Sequence, residues 1–148
     1  MAEMDSNSPS GGASRKTAVE KLTDAIGYPE RVPDGAVLFS LMVDGIEILA
    51  EESEGRIVLS YVLSDDDSLL PELAGYAAGR MLKEYATLAC DDNGRAVLWQ
   101  DAQASAAPHA LQRFFESFMD SCDWWRMRID ALMGHEDVRQ PETMVIRP

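Results

Sequence analysis

Apolar residues recur along this chain with a period of either two or about 3.6, and the changes of period mark out its elements. From Ala36 to Leu63 the period is two. Val37, Phe39, Leu41 and Val43 fall on one face of a first strand, and Asp44-Gly45 is the dipeptide of a two-residue hairpin. Ile46, Ile48 and Ala50 then alternate with Glu47 and Glu51. After Ser53-Glu54-Gly55 a third strand places Ile57, Leu59, Tyr61 and Leu63 on one side. The opposite face of this meander should be polar, yet it carries Leu38, Met42, Leu49, Val58 and Val62. A second hairpin, Tyr85 to Gln100, turns at Asp92-Asn93-Gly94.

Helical spacing appears in three places. Val19, Leu22, Ala25 and Ile26 form a short stripe that Gly27 ends, and Pro29 and Pro33 keep the following stretch extended or turned. Between the hairpins, Leu70, Leu73, Ala77 and Met81 share one stripe, beside a small face of Gly75, Ala78 and Gly79. Glycine inside a helix costs up to about 1 kcal/mol relative to alanine, so close approach of another backbone is expected there. The last helix is predicted from Pro108, with Leu111, Phe115, Phe118, Cys122, Trp125, Ile129 and Leu132 as its apolar seam, flanked by Phe114 and Trp124. The expected organisation is a flexible tail over 1–14, an α+β domain over 15–133, and a poorly ordered tail over 134–148.

Composition narrows what such a domain can do. The chain has 148 residues, 46% of them hydrophobic, enough for one core. Thirteen basic residues against 26 acidic ones leave a net charge of −13. That balance argues against nucleic acid and anionic membrane surfaces, which both require clustered Lys and Arg. The first residues lack the apolar core of a secretory signal, and no stretch approaches the ~20 apolar residues of a membrane span. A soluble, cytoplasmic protein is expected. Cys90 and Cys122 read as buried free thiols in a reducing compartment.

Catalytic chemistry has little to rest on. His109 and His135 stand apart from any cysteine at ligand spacing. Asp91-Asp92-Asn93-Gly94 lacks the spacing and closing Glu of a calcium loop, and Asp65 to Asp67 read as a solvated run at a helix start. Neither a phosphate loop nor a nucleophile elbow is present. No cofactor, metal or enzymatic activity is expected. The surplus apolar residues of the meander point instead to a protein partner, because large exposed apolar patches mark interaction surfaces. Two other readings compete. In one, helices cover both faces of the sheet. In the other, Trp99, Trp124 and Trp125 line a small-molecule pocket between the sheet and the last helix.

The order α-β-β-β-α-β-β-α, the acidity, and the phrases V-L-F-S-L-M-V-D-G, L-A-G-Y-A-A-G-R-M-L and D-N-G-R-A-V-L-W together resemble the class I type III secretion chaperones, the CesT/Tir-chaperone group. The resemblance spans roughly Arg15 to Met133. It implies a twisted antiparallel sheet packed by helices, in a cytoplasmic homodimer of a Gram-negative bacterium. Such a protein holds the N-terminal segment of a secreted effector in extended form and hydrolyses no ATP, release falling to the export ATPase. The dimer contact would then use Ala74, Ala77, Ala78, Met81, Leu82 and Leu88. The effector path would use Val19, Leu22, Leu38, Met42, Leu49, Val58 and Val62. The alternative is a non-secretory regulatory or scaffolding domain of the same architecture that binds a folded protein.

Overall fold

The computed structural model describes residues 15–64, 71, 73–75 and 86–146, with the side chains of the last helix described as far as Leu132. Its elements are helix α1 (Ala18–Ile26), strands β1 (Leu38–Val43), β2 (Ile46–Ser53) and β3 (Arg56–Ser64), strands β4 (Thr87–Cys90) and β5 (Ala96–Gln103), and helix α2 (Pro108–Ile146). The strands form one five-stranded sheet in the order β1-β2-β3-β5-β4, so β1 lies at an edge. Pro71 and Leu73–Gly75 are helical, in the place of the expected middle helix, whose remaining positions lie outside the described residues, as does the expected N-terminal tail. The chain divides into two compact units. One comprises the chain to Ser60 with Trp99–Glu116, the other Tyr61–Leu98 with the chain from Ser117 on.

In the first unit, two tight turns set the register. Asp44 and Gly45 both adopt left-handed φ, 51° and 82°, which joins β1 to β2 through a two-residue loop pairing Val43 with Ile46. Glu54 and Gly55 do the same between β2 and β3, so the loop is one residue shorter than the Ser-Glu-Gly triplet implied. Side chains alternate across a strand. This register therefore sends Leu41, Ile46, Ile48, Ala50, Ile57 and Leu59 into the core together. Val37, expected to join them, lies just before β1 and is 53% exposed, while its carbonyl still accepts from the Glu52 N–H at 2.8 Å.

Helix α1 packs on β2 through Ala18, Val19, Leu22 and Thr23. Thr17 caps it in a reciprocal box: its Oγ1 accepts from the Glu20 N–H at 3.1 Å, and Glu20 Oε1 accepts from the Thr17 N–H at 2.7 Å. Glu52 on β2 adds a tie, accepting from the Ala18 N–H at 2.8 Å. Gly27 stops the helix in the left-handed conformation, φ 69°. The other Glu20 oxygen accepts from the Gly35 N–H at 3.2 Å, fastening the loop back onto the helix. Elsewhere in this unit Arg56 Nε meets Asp101 Oδ2 at 2.6 Å, joining β3 to β5.

In the second unit, Asp91 closes the β4–β5 hairpin by accepting from the Asn93 and Arg95 N–H groups and the Arg95 guanidinium. Cys122, Trp125 and Phe118 are buried there. Burial pushes the Cys122 thiol up to about 12, so it stays protonated and inert. Cys90 is exposed at the end of β4, against the expectation of burial. Helix α2 continues to Ile146, where the loss of apolar periodicity predicted an end near Gly134.

Two stability predictions follow from the α1 cap. Thr17→Ala is expected to cost about 1 kcal/mol, read from urea unfolding. Backbone N–H groups of Thr17 and Gly35 hold the Glu20 carboxyl below its ordinary value of 4.5. Its contribution is therefore complete above that value and fades as pH falls through the lower native one. Glu20→Gln keeps only one carbonyl oxygen for two donors. Its melting temperature should be lower at neutral pH and should fall less steeply on acidification than that of the wild type.

Candidate partner-binding surface

The register that fills the core also decides what faces outward. On β1 the outward side chains are Leu38, Ser40 and Met42, opposite Glu51, Leu49 and Glu47 of β2. On β3, Val58 lies opposite Glu51 and Ser60 opposite Leu49. Leu38 is 54%, Met42 57% and Leu49 38% exposed; Val58 is half-buried. Four of the seven expected effector-contact residues thus share one surface, an open apolar patch with Glu47 and Glu51 set into it. The Ser40 hydroxyl donates to Glu47, which orients one of these carboxylates along the face. Val62 is half-buried further along β3.

Val19 and Leu22 do not join this surface. Both are fully buried, because the stripe that defines α1 is the face it presses onto β2. A contact role for them is corrected accordingly: they are core residues, inaccessible to a partner. Of the expected dimer residues, Ala74 is exposed and Leu88 half-buried, whereas Ala77, Ala78, Met81 and Leu82 lie outside the described residues.

The edge of the patch carries a feature that strand periodicity did not reveal. Val43–Ile46 is the pair flanking the two-residue turn, so the N–H and C=O groups of Val43, Leu41 and Phe39 face β2. Those of Met42, Ser40 and Leu38 face away from the sheet. At Met42 the outward N–H donates to the Tyr28 hydroxyl at 3.0 Å. The Tyr28 ring is held edge-on to Phe39, centroids 6.3 Å apart. Tyr28 also borders two clefts. One, of about 390 Å³, is lined by Ile26, Met42, Val43 and Phe115 among others, with Asp44 and Glu116. The other, of about 300 Å³, is lined largely by charged residues, among them Lys16, Glu20, Asp24 and Arg31. In the sequence, only the position of Tyr28 directly after the stop at Gly27 hinted at such a role.

Among the described residues a tryptophan-lined pocket finds little support. Trp125 is 2% exposed and packs edge-on against Trp124 at 5.1 Å, with the Arg128 guanidinium 5.0 Å above the Trp124 ring. None of the three tryptophans lines either cleft. Among the described residues no three His, Cys, Asp or Glu side chains converge as a metal site. No helix among them is long and apolar enough to cross a membrane.

The two faces of β1 make opposite predictions for neighbouring residues. Leu41→Ala should cost roughly 2–5 kcal/mol through lost burial and an internal cavity. Met42→Thr should leave stability within about 0.5 kcal/mol. Denaturant unfolding of both variants checks the assignment of faces.

Comparison with solved structures returns the same architecture at low sequence identity. A chain of the HopA1-SchA chaperone-effector complex superposes with a TM-score of 0.58 at 15% identity, over 74% of this chain and 91% of that one. A chain of the heterodimeric ExoU-SpcU complex from the type III secretion system of Pseudomonas aeruginosa gives 0.53 at 21% identity, over 72% and 93%. The Yersinia pestis type III secretion chaperone SycH, in complex with a fragment of YscM2, gives 0.51 at 14%, over 73% and 96%. No curated protein sequence matches the chain. At these identities the structures establish a shared fold, and the sequence itself supplies the assignment: residues 17–126 match the model of the Tir chaperone protein (CesT) family, and the chain belongs to that family.

Proposed function

We propose that this protein is a type III secretion chaperone that holds a segment of a secreted effector in extended form and keeps it soluble and competent for export. One observation carries the reading: the outer face of β1-β2-β3 gathers Leu38, Met42 and Leu49, three of the five exposed large apolar side chains among the described residues. Membership of the chaperone family and the chaperone–effector complexes among its structural relatives support the same conclusion. Binding of this kind is additive. Each apolar contact contributes about 25 cal/mol per Å² buried, set against the cost of ordering the peptide. A net charge of −13 favours a basic segment and keeps the complex in solution. The outward backbone groups of Leu38 and Ser40 suit the addition of a partner strand to the β1 edge.

Finer features belong to the same proposal. The protein works in the cytoplasm as a homodimer, joined through the small-residue face that includes Ala74, Ala77, Ala78, Met81 and Leu82, with Leu88. It uses no cofactor and catalyses no reaction, and the export ATPase removes the cargo. Ala78→Glu places a charge in that contact and should convert a dimer of about twice 16.3 kDa to monomers or aggregates, read by light scattering.

The direct test is capture of partners from the native cell, with mass spectrometry of what is retained. The expected result is the N-terminal part of a secreted protein, retained by the wild type and lost from a Leu38→Asp, Met42→Asp double variant that still folds. Retention of only folded cytosolic proteins would replace the chaperone reading with that of a regulatory domain using the same face.

A further inference from the structure

The outward edge of β1 offers backbone groups at Leu38, Ser40 and Met42, but these three positions are not equivalent. The Met42 N–H is already engaged by the Tyr28 hydroxyl at 3.0 Å. Tyr28 is fixed from both sides. Its N–H donates to the Thr23 carbonyl at 3.0 Å, as part of the helix stop at Gly27, and its ring lies edge-on to Phe39. An exposed strand edge is a template for pairing with any extended chain, and proteins blunt such edges to limit it. Here the blunting falls on one end of a six-residue strand.

Resting on the chaperone reading above, we infer that Tyr28 is a specificity-determining residue, which limits strand addition at the β1 edge to the two rungs at Leu38 and Ser40. The occupant is an extended segment of a partner protein with apolar and basic side chains in turn at every second position, so that both kinds lie on its one outer face. Charge and register argue for that chemistry together. The face that continues from this edge presents Leu38, Met42 and Leu49, with Glu47 and Glu51 standing between them. An apolar side chain of the added strand meets the first group, and a Lys or Arg reaches the second. At Met42 pairing stops, because the Tyr28 ring, held edge-on to Phe39 with its hydroxyl at the Met42 N–H, occupies the place of a third rung. Beyond that point the segment leaves the edge beside the cleft lined by Met42, Val43 and Phe115. A register shifted by one residue would turn the basic side chains away from Glu47 and Glu51. A fixed stop therefore selects among the segments of a long unfolded partner as well as limiting edge-to-edge self-association.

The test uses the full chain, isotopically labelled for amide exchange, and a defined probe: a valine–lysine peptide of about ten residues with valine and lysine in turn at every second position and threonine between them, with glutamate in place of lysine in the control. In the wild type the valine–lysine probe should slow exchange at the Ser40 amide by about tenfold or more, leaving the already slow Met42 amide unchanged. The control should do neither. Tyr28→Phe keeps the ring and removes the acceptor, so Met42 exchange should become fast in the free protein and stay fast with probe bound. Tyr28→Ala opens the edge, and the probe should then protect Met42 as well as Ser40. Protection of Met42 by the probe in Tyr28→Phe, or displacement of Tyr28 from Met42 by the probe in the wild type, would overturn the stop. Probe protection away from β1, or none, would overturn strand addition at this edge. Neither result would bear on whether a secreted protein is retained in the capture experiment, so failure of this inference and failure of the chaperone reading are separable.

Discussion

The two-residue turn at Asp44-Gly45 is the constraint on which the rest depends. A loop of that length admits one register, Val43 against Ile46, and from it the partition of every residue in β1 and β2 follows. The core receives Leu41, Ile46, Ile48 and Ala50, the solvent receives Leu38, Met42 and Leu49, and the backbone groups of alternate residues are aimed at either β2 or the free edge. One more residue in the turn would exchange the two faces. It would bury Glu47 and Glu51 and expose the core. Hydrophobic burial and the candidate binding surface are thus two consequences of one local geometry.

The acidic residues divide into those used locally and those left facing outward. Glu20 and Glu52 accept backbone N–H groups at the start of α1, and Asp91 organises the second hairpin, so these carboxylates hold the chain in shape. Glu47 and Glu51 stand instead on the open sheet face, among apolar side chains. A carboxylate there costs the monomer nothing in desolvation. It gives the patch a sign: an apolar surface alone would accept any unfolded chain, and the two acids weight it towards basic ones.

Much of this was legible in the sequence, for physical reasons that differ by element. The meander could be read because period-two alternation and left-handed turn dipeptides are local properties. The last helix could be read because its seam repeats often enough to exclude chance. The outer face was visible as a violation, apolar residues where alternation demands polar ones. What alternation cannot reveal is which apolar face a helix uses on its own behalf. Val19 and Leu22 were placed on the effector path by the family resemblance, but they form the apolar stripe of α1, and that stripe is what α1 buries. The capping box was written in Thr17-Ala18-Val19-Glu20 and passed unnoticed beneath the stripe. The end of α2 was missed because apolar periodicity reports burial, whereas the backbone hydrogen bonds that define a helix carry no such period.

Tyr28 belongs to a category that no local rule reaches. Its partner Met42 lies fourteen residues away, and the bond joins a side-chain oxygen to a main-chain donor, so neither composition nor spacing marks it. The donor faces outward only because the Asp44-Gly45 turn fixes the register. Tyr28 meets it only because Gly27 ends α1 in a left-handed residue that redirects the chain. Two turn glycines, each accountable from its own neighbourhood, place a phenol on a strand edge. Specificity at the edge of a sheet can thus arise from the intersection of two independent backbone constraints, with the residue that expresses it belonging to neither strand.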